Sequence, residues 1–201
     1  MNASAETGPD QPGFGLYVHW PFCLAKCPYC DFNSHVRHEP VDQARFVKAF
    51  ATSLEHQARF APKHPLTSIF FGGGTPSLMS AQTVEDLLDM IHRIFAVSPK
   101  AEISMEANPT SVEASRLADY RRAGVNRLSI GVQALNDIDL KALGRRHSVE
   151  EAIAAIKLAQ RSFERTSFDL IYARPAQSGV QWRAELLQAI DLAAEHLSLY
   201  Q

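Results

Sequence analysis

A chain of 201 residues that is 46% hydrophobic, 21% charged and 9% aromatic has the composition of one globular domain with a core of its own. Its 20 Lys and Arg against 22 Asp and Glu leave a formal charge of −2, which argues against a domain built around nucleic acid or an anionic membrane surface. No apolar run approaches the roughly 18 residues that span a bilayer. Residues 1–13 lack the basic start and apolar stretch of a signal peptide, so they read as a disordered polar tail on a cytoplasmic protein.

The first strand is expected at 15–20. Directly after it come Cys23, Cys27 and Cys30, the only 3 cysteines of the chain. An odd number packed this tightly is a poor disulfide framework and points to metal or redox chemistry. A helix over about 41–60 leads to a strand at 67–71, and that strand runs into Gly72-Gly73-Gly74-Thr75-Pro76. The next helix, about 81–96, places Val84, Leu87, Leu88, Ile91, Ile94 and Phe95 on one face behind an N-cap at Ser80. A strand at 102–106 ends in Glu106-Ala107-Asn108-Pro109. A helix over 111–123 is entered by a Thr110/Glu113 capping box and stopped by Gly124. Gln133 follows a strand at 127–131, a Ser148/Glu151 capping box opens a helix over 149–163, and Asp169 lies in a strand at 167–172. A helix over 180–194 and a strand at 196–200 complete the chain.

Strands and helices in alternation imply right-handed parallel βαβ units, in an α/β protein whose functional face lies at the carboxyl ends of the strands. The pattern alone leaves an open doubly wound sheet and part of a barrel both standing. Unusual residues at four successive strand ends nevertheless mark one site. Three thiolates from one loop suit either a zinc ion completed by His19 or His35, or an iron–sulfur cluster with one iron left open. The glycine triplet needs a sharp turn or a close approach to its backbone. Glu106, a carboxylate on an apolar strand, needs a partner, either an ammonium group or a structural salt bridge.

Tyr17-Val18-His19-Trp20-Pro21-Phe22-Cys23 with Cys27-Pro28-Tyr29-Cys30-Asp31-Phe32 resembles the radical S-adenosylmethionine (SAM) superfamily. Within it, the resemblance is to the group holding oxygen-independent coproporphyrinogen III oxidase and the heme chaperone HemW. Phe71 to Ser77, Glu106 to Pro109, Asn126 to Gln133, Asp169 to Tyr172 and Leu197 to Gln201 follow the same pattern in order. The resemblance implies a partial (β/α)6 radical SAM barrel, here truncated after the sixth strand, with 14–201 as an incomplete core domain. It implies a [4Fe-4S] cluster on Cys23, Cys27 and Cys30, with SAM chelating the fourth iron and cleaved to methionine and a 5′-deoxyadenosyl radical. Tyr17, Gly73 and Glu106 match positions that hold this SAM. Gly74, Thr75, Gln133, Arg145, Asp169 and Tyr29 match positions lining a second SAM site in the oxidase.

Two departures from the group's pattern bear on function. Ala173-Arg174-Pro175-Ala176 stands where a Gly-Leu-Pro turn is expected, so that turn differs or is strained. Phe32 stands where the oxidase carries a fourth cysteine, and this favours a heme chaperone over an anaerobic coproporphyrinogen III oxidase. The implied partners are heme or a porphyrinogen, apo-hemoprotein acceptors and a reductant protein, with no nucleic acid and membrane association only through partners. Heme as cargo would be held by a C-terminal region, and the sixth strand, lacking its following helix, is expected to leave Leu197 and Leu199 partly uncovered and the chain prone to aggregate.

Overall fold

The structure, a computed structural model, describes residues 13–110, 116–193 and 195–201. Six parallel strands form its sheet: β1 (Phe14–Trp20), β4 (Leu66–Gly73), β5 (Val97–Ala107), β6 (Arg127–Gln133), β7 (Arg165–Ile171) and β8 (His196–Tyr200). Their spatial order, β1-β4-β5-β6-β7-β8, is their order along the chain. A doubly wound sheet reverses direction partway; a sheet whose right-handed crossovers never reverse carries all its helices on one face and curls. The partial (β/α)6 arrangement is therefore the one realised. No helix among the described residues is long and apolar enough to cross a membrane.

The helices form where local chemistry starts them. α1 (Gln43–Ala58) begins at Asp42, whose carboxylate accepts from the Arg45 amide at 3.0 Å. α2 (Ala81–Ile94) begins at Ser80 and buries Val84, Leu87, Leu88 and Ile91 against the sheet. Ile94 and Phe95, expected on the same face, are only partly buried. α3 (Leu117–Ala123) ends at Gly124, whose φ of 115° makes the left-handed stop. The Thr110/Glu113 box lies outside the described residues.

Between β6 and β7 stand two helices. The short α4 (Asp137–Ala142) precedes α5 (Val149–Ser162), which opens on the Ser148/Glu151 box with both reciprocal hydrogen bonds formed. α6 (Gly179–Leu192) opens on a second box, Ser178 with Gln181. A two-stranded parallel ribbon, β2 (Phe22–Cys23) with β3 (His35–Val36), closes the base of the cysteine loop. β5 starts five residues earlier than its pattern suggests, because Val97 pairs with Leu66 below a register shift.

Candidate cofactor site

The cysteine loop leaves β1 at Trp20 and is tied down at many points. The His35 amide donates to the Pro21 carbonyl at 2.7 Å, and the Arg37 amide to that of Cys23 at 2.9 Å. Lys26 Nζ crosses the loop to the Phe32 carbonyl at 2.9 Å and to Ser34 Oγ at 2.8 Å. His19 Nε2 reaches the Asn33 carbonyl at 2.9 Å, so this nitrogen carries the proton and Nδ1 is left to accept from Tyr17 Oη at 3.2 Å. With both ring nitrogens engaged, His19 has no lone pair to offer a zinc ion.

All three cysteines are free thiols; Cys23 is buried, while Cys27 and Cys30 are half-buried. Among the described residues no three His, Cys, Asp or Glu side chains come together as a set for one metal ion. A single zinc needs its thiolates within about 4 Å of one another, given Zn–S bonds of about 2.3 Å. A multi-iron cluster takes one thiolate per iron and does not ask the sulfurs to converge. The donor set, three thiols on one hydrogen-bonded loop, fits the cluster.

The glycine triplet explains itself against this loop. Gly73 has φ 113°, and a Cβ there would stand 2.7 Å from the His19 ring. A Cβ on Gly74 would stand 2.7 Å from the Phe22 carbonyl oxygen and 3.0 Å from Cys23 Sγ. The backbone closes this contact with the Gly74 amide donating to the Trp20 carbonyl at 2.7 Å and the Thr75 amide to that of Phe22 at 2.9 Å. The buried Thr75 Oγ1 in turn lies 3.5 Å from Cys23 Sγ.

From Thr75 the contacts run across the strand ends. Asn108 Nδ2 donates to Thr75 Oγ1 at 3.4 Å, and Asn108 Oδ1 accepts from Arg145 Nη2 at 2.7 Å. Arg145 also donates to the Gly131 carbonyl at 2.7 Å, to Tyr29 Oη at 3.4 Å and to Cys27 Sγ at 3.5 Å. Its Nε is buried and unpaired. The adjoining Arg146 is exposed. Gln133, at φ 77°, turns its amide to the same spot: a Cβ built on Gly131 would lie 3.0 Å from Gln133 Nε2, 3.5 Å from Arg145 Nη2 and 3.8 Å from Asn108 Oδ1. Gly131 is thus the floor of a polar cradle.

Beside this cradle stand two carboxylates. Glu106 Oε2 accepts from the Gly73 amide at 3.3 Å, and burial, aided by the charge of Asp169, pushes its pKa up to about 7. Asp169 is pushed up to about 6 by burial, which hydrogen bonds from Ser198 and Ser129 partly oppose. Four residues back on β5, Glu102 meets both Arg127 and Arg165, whereas Glu106 has no such ion pair among the described residues. A half-buried carboxylate without a countercharge suits a cationic ligand. S-adenosylmethionine, with a sulfonium and an ammonium, is such a ligand. Tyr17 stacks on Phe70 at the near edge, and the Tyr200 phenol is raised by burial and by the charges of Asp169 and Glu106.

The candidate residues thus fall into two adjoining groups: Cys23, Cys27, Tyr29, Gly74, Thr75, Gln133 and Arg145 linked through Asn108 and Gly131, and Gly73, Glu106 and Asp169 beside them. Cys30 sits apart, with Ser34 Oγ at 4.0 Å. Asn108 and Tyr200 are additions. Each carried a signal in its motif, Asn108 within Glu106 to Pro109 and Tyr200 within Leu197 to Gln201.

The radical SAM superfamily matches this chain over residues 17–189. The heme chaperone HemW of Escherichia coli (strain K12) is 45% identical over 194 residues, covering 94% of this chain and 50% of that protein. The mitochondrial radical S-adenosyl methionine domain-containing protein 1 of Bos taurus is 41% identical, over 96% of this chain and 45% of its own length. Among solved structures, the radical SAM enzyme coproporphyrinogen III oxidase (HemN) of Escherichia coli superposes with a TM-score of 0.82 at 29% identity, over 94% of this chain and 44% of that one. The chain spans about half the length of these relatives.

Proposed function

The chain belongs to the radical SAM superfamily, and from that premise we propose that Cys23, Cys27 and Cys30 hold a [4Fe-4S] cluster beside a SAM site. Glu106 pairs with the ligand's ammonium, the Gly73 backbone lies against it, and Tyr17 closes the outer edge. Gly74, Thr75, Tyr29, Gln133, Arg145 and Asp169 line the adjoining polar space. When bound, the cluster supplies an electron to the SAM sulfonium. The protein's own residues do the binding and orienting: Glu106 supplies countercharge, and Arg145 fixes the cysteine loop to the ends of β5 and β6.

The whole protein is a HemW-like heme chaperone that binds heme and hands it to hemoproteins, with a reductant protein as electron source. The observation that carries this reading is Phe32, 56% exposed two residues after Cys30, where the oxidase pattern has cysteine. A second reading, coproporphyrinogen III oxidation, is favoured by one specific feature: Gln133, Arg145 and Asn108 form an intact cradle over Gly131. Incubating the reconstituted whole protein anaerobically with SAM, reductant and coproporphyrinogen III, and in parallel with heme, separates the two. Stable heme binding without turnover is expected; protoporphyrinogen IX in the product would overturn the chaperone reading.

A further inference from the structure

The turn after β7 carries a buried cation that the site described above does not use. Arg174 has a side chain only 4% exposed and spends its guanidinium in three directions. Nη1 donates to the Ile171 carbonyl at 2.6 Å, at the end of the strand that bears Asp169. Nε and Nη2 reach Asp139 Oδ2 on α4 at 3.0 and 2.8 Å. Nη2 also meets Glu185 Oε2 on α6 at 2.5 Å. Glu185, itself 8% exposed, turns its other oxygen to the Leu135 amide at 2.7 Å, two residues beyond Gln133. Gln177 Nε2 adds a donor to Glu185 Oε2 at 3.1 Å.

These contacts grip one segment at two points. Leu135 lies just after Gln133, and Asp139 lies on the helix whose end delivers Arg145; the Arg145 amide donates to the Leu140 carbonyl at 2.8 Å. The Arg174 turn is held under strain to make them, for Ala173 and Ala176 sit at φ 56° and 62°. Backbone in that region is unfavourable for an L-residue, and the buried ion pairs over-determine it. A buried cation shared by two carboxylates is weak evidence for stability but good evidence for a fixed geometry, because each bond is directional and the guanidinium is out of reach of water.

We propose that Arg174 is a positioning residue: through Glu185 and Asp139 it fixes the Gln133-to-Arg145 segment against the Asp169 strand, so that the polar cradle is preformed before a ligand arrives. The link to ligand binding rests on the SAM reading above; the link to segment order does not. Arg174→Met tests it, paired with Arg174→Met/Glu185→Gln, which removes the unpaired buried carboxylate that the single change would leave while keeping an acceptor for the Leu135 amide. In the double variant, cooperative unfolding and iron content stay near those of the parent. Amide exchange at Leu135 and over 135–145 rises at least about tenfold, and SAM binds about tenfold more weakly by equilibrium dialysis. Arg174→Lys, which keeps the charge but reaches fewer acceptors, falls between. Unchanged exchange over 135–145 in a folded double variant overturns the proposal, as does global unfolding of all three variants. A parent protein that binds no SAM overturns the cofactor reading alone, since the exchange comparison still decides the positioning role.

Discussion

Across the width of β6, the charge of Asp169 adds to burial in holding the Glu106 carboxyl at about 7. A raised carboxyl favours the protonated folded state, so its stabilising contribution is present below the ordinary value of 4.5 and is lost as pH rises through about 7. Glu106→Gln cannot ionise and escapes that loss. The ligand-free variant is expected to be more stable than the parent at pH 8 by on the order of 1–3 kcal/mol, and equal to it near pH 4.5. Thermal unfolding at the two pH values checks this; a variant less stable at pH 8 refutes the assignment of Glu106 as an uncompensated charge.

The same carboxylate sets how SAM affinity responds to pH. Only the ionised form attracts an ammonium, so between pH 7 and pH 6, where the ligand's α-amino group stays protonated, the affinity of the parent should fall about fivefold. Asp169, at about 6, adds a further decline only at the lower end of that window, and the raised phenols of Tyr17 and Tyr200 remain neutral throughout it. Glu106→Gln should bind weakly with a nearly flat profile. Equilibrium dialysis across this range gives the answer, and an unflattened profile in the variant would assign the titration elsewhere.

Anaerobically reconstituted protein is expected to be brown and to bleach with dithionite. Cys27→Ala should lose the colour, since two thiolates from this loop do not retain a cluster. The readouts are iron and sulfide content together with the visible spectrum. Colourless protein holding one zinc per chain would defeat the cluster assignment.

Several of these residues are legible in the sequence because their chemistry is out of place in a strand-helix alternation: three cysteines, a glycine triplet and a carboxylate on an apolar strand all announce themselves. The helix at 81–94 is equally plain, its buried face repeating through Val84, Leu87, Leu88 and Ile91. The six-residue α4 is too short to show a period, and the ribbon joining Phe22–Cys23 to His35–Val36 follows from loop closure alone. The choice of barrel over open sheet turned on strand order, to which a repeating βα pattern is blind. Arg145 stood out from Arg146 only through the family resemblance; its partners Asn108 and Cys27 lie 37 and 118 positions away. Arg174 announced only that its turn is unusual, because Asp139 and Glu185 become its partners only once β6 and β7 lie side by side.

The strained turn offers a simple test of local energetics. Ala173, at φ 56°, is exposed, so glycine would give up little burial there. Ala173→Gly relieves the left-handed penalty and gives back part of it through a more flexible unfolded chain. A net gain of about 0.5–1 kcal/mol is expected, a rise in Tm of roughly 1–4 °C at this chain length. A fall in Tm would mean that the alanine methyl is packed rather than strained.

Beneath the glycine turn, Tyr120 is fully buried, and its hydroxyl lies 2.6 Å from the Ser77 carbonyl and 2.9 Å from that of Met79. These carbonyls belong to the single helical turn that follows Thr75, so α3 supports the floor of the cofactor site from outside the sheet. Tyr120→Phe keeps the ring and deletes the donor, which costs about 1–3 kcal/mol when a buried acceptor is left short of a partner. If the hydroxyl also holds Thr75 in place against Cys23, the variant should take up iron normally yet lose it faster to a chelator than a control of equal stability such as Leu88→Val on α2. Equal rates of iron loss in the two proteins would confine Tyr120 to the fold and separate it from the site.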